Sequence, residues 1–159
     1  MKLAVILFWN IFLFTSCGCF NKSKSDAVVT NIETTRVITQ EQPISFEYKA
    51  STRGYYQKII ITKSKILQTK KRGGKLKNFS CTLENWNNLI SLLKTVNLEQ
   101  IAEFKPPSKD FQFDGAPLTR LKVVSSEKTY ETQGFDHGNP PKEIAALVKE
   151  ILSISENIE

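Results

Sequence analysis

The pattern of apolar and polar positions changes character several times along the chain. Leu3 to Phe14 is an apolar run broken only by Asn10, and Thr15, Ser16 and Cys17 follow it. Phe20 to about Asp26 is polar and aperiodic. From Ile44 the pattern alternates. Ile44, Phe46, Tyr48 and Ala50 are separated by Ser45, Glu47 and Lys49, the period of two that marks a half-buried strand. Ser51 to Gly54 predicts a turn, and Tyr55 to Thr62, aromatic and β-branched, predicts the next strand. Lys65 to Lys71 and Lys75 to Cys81 flank Arg72, Gly73 and Gly74; paired glycines supply the positive φ a tight hairpin needs. The period then becomes helical at Leu83, Trp86, Leu89, Ile90, Leu93 and Val96, with Thr82 as the predicted N-cap and Asn97 as the end. Pro106 and Pro107 open a loop that runs to Ala116. Leu118 to Ser125 and Lys128 to Phe135 predict two more strands, joined at Ser126 and Glu127. A last helix carries Ile144, Leu147, Val148 and Ile151 on one stripe, with Asn139 as the predicted cap and Pro140 at its first position.

The predicted order is β-β-β-β-α-β-β-α. Amphipathic helices cover the apolar face of a half-polar sheet, so the expected fold class is α+β: an antiparallel sheet of about six strands, a meander plus a hairpin, packed on two helices. The order lacks βαβ alternation and the sequence lacks a glycine-rich phosphate loop, which argues against a nucleotide-binding α/β fold.

The N-terminal run changes the picture. A bilayer-spanning helix needs about 20 apolar residues, and this run is shorter, with the length of a signal-peptide core. Small residues just ahead of Cys17 match cleavage by a lipoprotein signal peptidase after the thiol is acylated. The expectation is a lipoprotein signal peptide at 1–16, an acylated (palmitate-type) Cys17 with a tether over 17–43 that has room for one edge strand, and a single domain over 44–159. The expected address is the cell envelope, with the membrane engaged through the N-terminal lipid, on the periplasmic face or the outer-membrane surface. Of the three cysteines, Cys19 and Cys81 then remain. Their separation fits no local zinc motif. An oxidising envelope permits their pairing, although Cys81 reads more simply as a small buried hydrophobe.

The chain of 159 residues carries a net charge of +6. Ten basic residues and no acid lie between Tyr48 and Leu83. This basic run reads in two ways: attraction to anionic headgroups, or lysines that guard a sheet edge against aggregation. An envelope address argues against a nucleic-acid partner. Arg53, Tyr55 and Tyr56, with Lys70, Lys71 and Arg72, form the candidate binding surface, since a basic residue and two aromatics after a turn suit a recognition edge. The candidate chemical group is Asp114, Asp136 and His137, with Asp110 nearby in sequence. Two carboxylates and an imidazole at adjacent strand ends suit acid/base work or a divalent metal; the competing reading is that Asp and Gly simply build the turns. No cofactor or metal is expected.

The runs Thr-Arg-Gly-Tyr-Tyr (52–56), Asp-Gly-Ala (114–116) and Phe-Asp-His-Gly-Asn-Pro-Pro-Lys-Glu-Ile-Ala-Ala-Leu-Val (135–148) resemble small uncharacterised lipoproteins of Bacteroidetes-type bacteria. That resemblance covers about Ile44 to the C-terminus. It implies an envelope address and carries no catalytic residue with it. The expected function is a non-catalytic binding domain for an envelope protein or polysaccharide. The alternatives are an inhibitor or immunity-type lipoprotein, and a small hydrolase or metal-binding protein using Asp114, Asp136 and His137.

Overall fold

The structure, a computed structural model, describes residues 43–158. The signal run, Cys17, Cys19 and the tether lie outside the described residues, apart from Pro43. The fold is α+β, an open antiparallel sheet with two helices. Its strands are β1 (Ser45–Ser51), β2 (Tyr56–Thr62), β3 (Lys65–Thr69), β4 (Lys77–Ser80), β5 (Leu118–Val124), β6 (Thr129–Glu131) and β7 (Phe135–Asp136). The helices are α1 (Leu83–Leu93) and α2 (Ala145–Glu156), neither long and apolar enough to cross a membrane.

The spatial order is β4-β3-β2-β1-β5-β6, with β7 also paired to β5. The first four strands form the meander that the alternation predicts. After α1 the chain crosses the sheet, and β5 pairs antiparallel with β1 on the side away from β2. One row of the sheet therefore runs Ile59, Tyr48, Leu121 and the next runs Ile61, Phe46, Val123. Every one of these side chains is buried, as are Trp86, Leu89 and Leu93 of α1 and Leu147, Val148, Ile151 and Ile154 of α2. The Phe46 and Trp86 rings meet edge to face at 5.9 Å, one of the contacts that join sheet to helix. The other face stays open and carries polar pairs, including Lys58 with Glu47 at 3.1 Å and Lys122 with Glu131 at 3.3 Å.

Several boundaries differ from the periodicity. Thr82 caps α1 as expected, its hydroxyl accepting from the Asn85 N–H at 3.1 Å. The helix ends at Leu93 rather than at Asn97. The Thr95 hydroxyl donates to the Leu92 carbonyl, and Asn97 caps a separate 3-10 turn at Leu98–Gln100. Leu83 lies on the predicted stripe but is 66% exposed, whereas Trp86, the next residue of that stripe, is buried. Asn139 does not cap the last helix. Its N–H donates to the Asp136 carbonyl and its side chain to the Ser108 hydroxyl, so it belongs to the preceding turn. A 3-10 turn at Lys142–Ile144 leads into α2 instead.

The predicted strand over Lys128–Phe135 is broken into two. Val123 pairs with Tyr130 and Lys122 with Glu131, yet Thr119 pairs with Phe135 and Leu118 with Asp136, so the register has slipped by one residue. Gln133 and Gly134 together oppose Arg120, which is a β-bulge. The slip puts Phe135 on the covered face and Asp136 on the open one.

Three adjacent isoleucines test this assignment of faces. Ile59 and Ile61 are fully buried, whereas Ile60 is half-buried on the open face. Replacing Ile59 or Ile61 with Ala is expected to cost about 2–5 kcal/mol in urea unfolding. Ile60→Ala should cost less than about 1.5 kcal/mol in the same measurement.

Candidate functional site

The bulge sets up the candidate site. Alternation sends Asp136 and His137 to opposite sides of the strand. Asp136 turns toward the 3-10 turn at Asp110–Phe113. Its carboxylate accepts from the Ser108 hydroxyl, from the Asp110 N–H at 3.0 Å and from the Phe111 N–H at 2.7 Å. The side chain is 3% exposed. Burial pushes its pKa up, and the three donors more than reverse that, holding it below the ordinary carboxylate value. Asp136 thus anchors a loop with both oxygens.

His137 turns the other way, toward the core face. Its Nδ1 lies 2.7 Å from the Tyr48 hydroxyl and its Nε2 lies 3.1 Å from the Tyr55 hydroxyl. The Tyr55 hydroxyl donates to Gln57 Oε1 at 2.7 Å, and Gln57 Nε2 donates to the Ser155 hydroxyl at 3.4 Å. These contacts assign the tautomer. Because Tyr55 spends its proton on Gln57, its oxygen accepts from His137, so Nε2 carries the hydrogen. Nδ1 then accepts from Tyr48. Burial pushes the Tyr48 phenol up to about 12, so it remains a donor across the physiological range. Burial also lowers the His137 pKa, against the opposing pull of the Glu156 carboxylate, and favours the neutral ring. The result is a one-way chain of hydrogen bonds from β1 through His137 and the β1–β2 turn to β2 and α2. Tyr55 is its solvent-facing member, at 37% exposure.

The other candidates divide between structural and surface roles. Asp114 ends the 3-10 turn in the left-handed conformation, at φ 57°, and is exposed; Gly115 closes that turn onto the Asp110 carbonyl. The carboxylates and the imidazole therefore meet through backbone turns and not in one ligand shell. Among the described residues no three His, Cys, Asp or Glu side chains converge to hold a metal. Cys81 is a free, half-buried thiol whose pKa burial raises. Of the candidate surface, Arg72 and Tyr56 meet. The Arg72 guanidinium donates to the Thr52 carbonyl at 3.0 Å and lies 5.3 Å from the centre of the Tyr56 ring, which ties the Gly73 hairpin to the Arg53 turn. Tyr55 and Tyr56 part company: Tyr55 joins His137, and Tyr56 lies under Arg72.

Tyr48, Gln57 and Ser155 escaped the sequence reading. Their signal is a polar group in an apolar register: Gln57 alternates with Ile59 and Ile61, and Ser155 follows Ile154 beside the α2 stripe. No protein-family model matches the chain, and no curated protein or solved structure is detectably similar to it.

Asp136 and the half-buried His137 couple stability to pH in the same direction but in separate windows. His137 titrates lower in the folded chain than in the unfolded one, so the unfolded state takes up its proton first. Its contribution is whole above about pH 6.5 and is lost as pH falls below that value. The Asp136 contribution holds until about pH 4 and is lost below it. The urea midpoint should therefore fall between about pH 7 and pH 5 in the native chain, and His137→Gln should flatten that limb. Asp136→Ala, which strands two backbone N–H groups and a hydroxyl, is expected to cost about 2–4 kcal/mol by urea unfolding at neutral pH.

Proposed function

We propose that this chain is a lipid-anchored cell-envelope protein and that its folded domain is a non-catalytic binding module for an envelope partner. Cys17 carries the lipid, and residues 17–43 connect it to the domain. An inhibitor or immunity-type protein is one form that such a module takes.

The observation that carries the reading is the opposition of the two ends of the sheet. The chain enters at Ile44, beside the Thr62 end of β2. The opposite end, about 20 Å away along β1, gathers Arg53, Tyr55 and Tyr56 with the Arg72 hairpin that carries Lys70 and Lys71. Attachment and recognition are thereby separated along one strand. The Tyr48–His137–Tyr55 chain supports the binding role, because it fixes the orientation of a partly exposed phenol, and a rigid aromatic is an efficient contact. The Asp136 carboxylate, engaged by three donors, serves the scaffold.

Cell fractionation of Cys17→Ala tests the anchor. The native protein should partition with membranes and the variant with the soluble fraction. A variant that remains with membranes would overturn the proposal.

A further inference from the structure

The edge strand β4 has a feature that the His137 chain does not use. Among the described residues β4 pairs only with β3. The Cys81 N–H donates to the Ser64 carbonyl at 3.2 Å. Antiparallel alternation from that pair turns the main-chain groups of Lys77 and Phe79 toward β3, and those of Asn78 and Ser80 outward. Beside this edge, at the recognition end of the sheet, lies a cleft of about 630 Å³. Lys71, Lys75 and Lys77 stand around it, and Phe79 and Ile158 supply an apolar lining. These three lysines are exposed and enter no ion pair among the described residues.

We infer that the β4 edge and its cleft bind an extended, acidic segment of a partner polypeptide, added to the sheet as a further strand. Asn78 and Ser80 supply the main-chain ladder. Every second side chain of the segment falls toward the cleft, where its carboxylates meet the lysines and its methylenes rest on Phe79 and Ile158, and the side chains between them point to the other face of the sheet. The charges also select the occupant. A second copy of this chain brings the same lysines and is repelled, whereas an acidic strand is attracted. A polypeptide is favoured over a membrane surface for two reasons. Only an extended chain uses the outward N–H and C=O groups, and the cleft lies toward the end of the sheet opposite the Ile44 attachment. The inference rests on the binding-module reading and names the partner class for it.

The test uses the full chain in detergent and three labelled peptides, read by fluorescence anisotropy at low salt. One alternates Glu and Val, one alternates Lys and Val, and one alternates Glu and Pro, which keeps the charge but cannot form the ladder. The Glu–Val peptide should bind, the Lys–Val peptide should not, and the Glu–Pro peptide should bind at least about tenfold more weakly. The variant Lys71→Glu/Lys75→Glu/Lys77→Glu should lose at least about tenfold in affinity for the Glu–Val peptide while keeping its thermal midpoint. Absent or equal binding of the acidic and basic peptides overturns the inference, as does indifference to the proline peptide or to the lysine variant. Displacement of the peptide by phosphatidylglycerol vesicles through the same lysines also overturns it and assigns the surface to lipid. The Cys17→Ala fractionation reads the anchor separately, so peptide binding with a failed anchor, or the reverse, identifies which proposal has fallen.

Discussion

β1 lies between β2 and β5, and the alternation of this one strand organises the domain. Phe46, Tyr48 and Ala50 are fully buried because both neighbours present apolar or hydrogen-bonded partners in register. A shift of one residue in either pairing would carry Glu47 and Lys49 into the core and expel two aromatics, so the register is strongly specified. The helices follow from it. A sheet with one apolar face must be covered on that face, and α1 and α2 present their buried stripes to it. The same strand separates the two ends of the molecule, one where the chain enters and one where the basic and aromatic side chains collect.

The bulge at Gln133 and Gly134 has consequences well beyond its size. One extra residue reverses the faces of everything after it. Phe135 enters the core beside Tyr48, with ring centres 6.4 Å apart, and the next two side chains serve opposite tasks. Asp136 gathers the loop over the open face, and His137 joins the phenols under the covered one. Buried polar groups are costly unless satisfied, and each member of the Tyr48–His137–Tyr55–Gln57–Ser155 chain satisfies the next. The network holds the β1–β2 turn against α2, which gives that end of the sheet a fixed shape.

The basic run between Tyr48 and Leu83 serves more than one purpose. Lys58 neutralises Glu47 on the open face, and Arg72 holds two turns together with one guanidinium. Lys71, Lys75 and Lys77 remain around the edge strand and its cleft. The same lysines that discourage edge-to-edge association of identical chains present an attractive field to an acidic one. Guarding the edge and the proposed recognition of an acidic strand are therefore compatible for one set of charges.

Most elements are legible in the order of residues alone, because strand and helix periods are local. That order located the four-strand meander, the Thr82 cap, the glycine hairpin and the apolar stripe of α2. It also marked His137, Asp136 and the Arg53–Tyr56 run as chemically unusual, although it grouped His137 with two carboxylates. Strand pairing settles that β5 lies beside β1, that Ile60 faces outward between two buried isoleucines, and that Asp136 and His137 part to opposite sides. Those outcomes depend on strand pairing between residues far apart in the chain, and on a single-residue slip that no local period records. Tyr48 and His137 stand 89 positions apart and meet because burial of one face fixes the register of the strands that carry them.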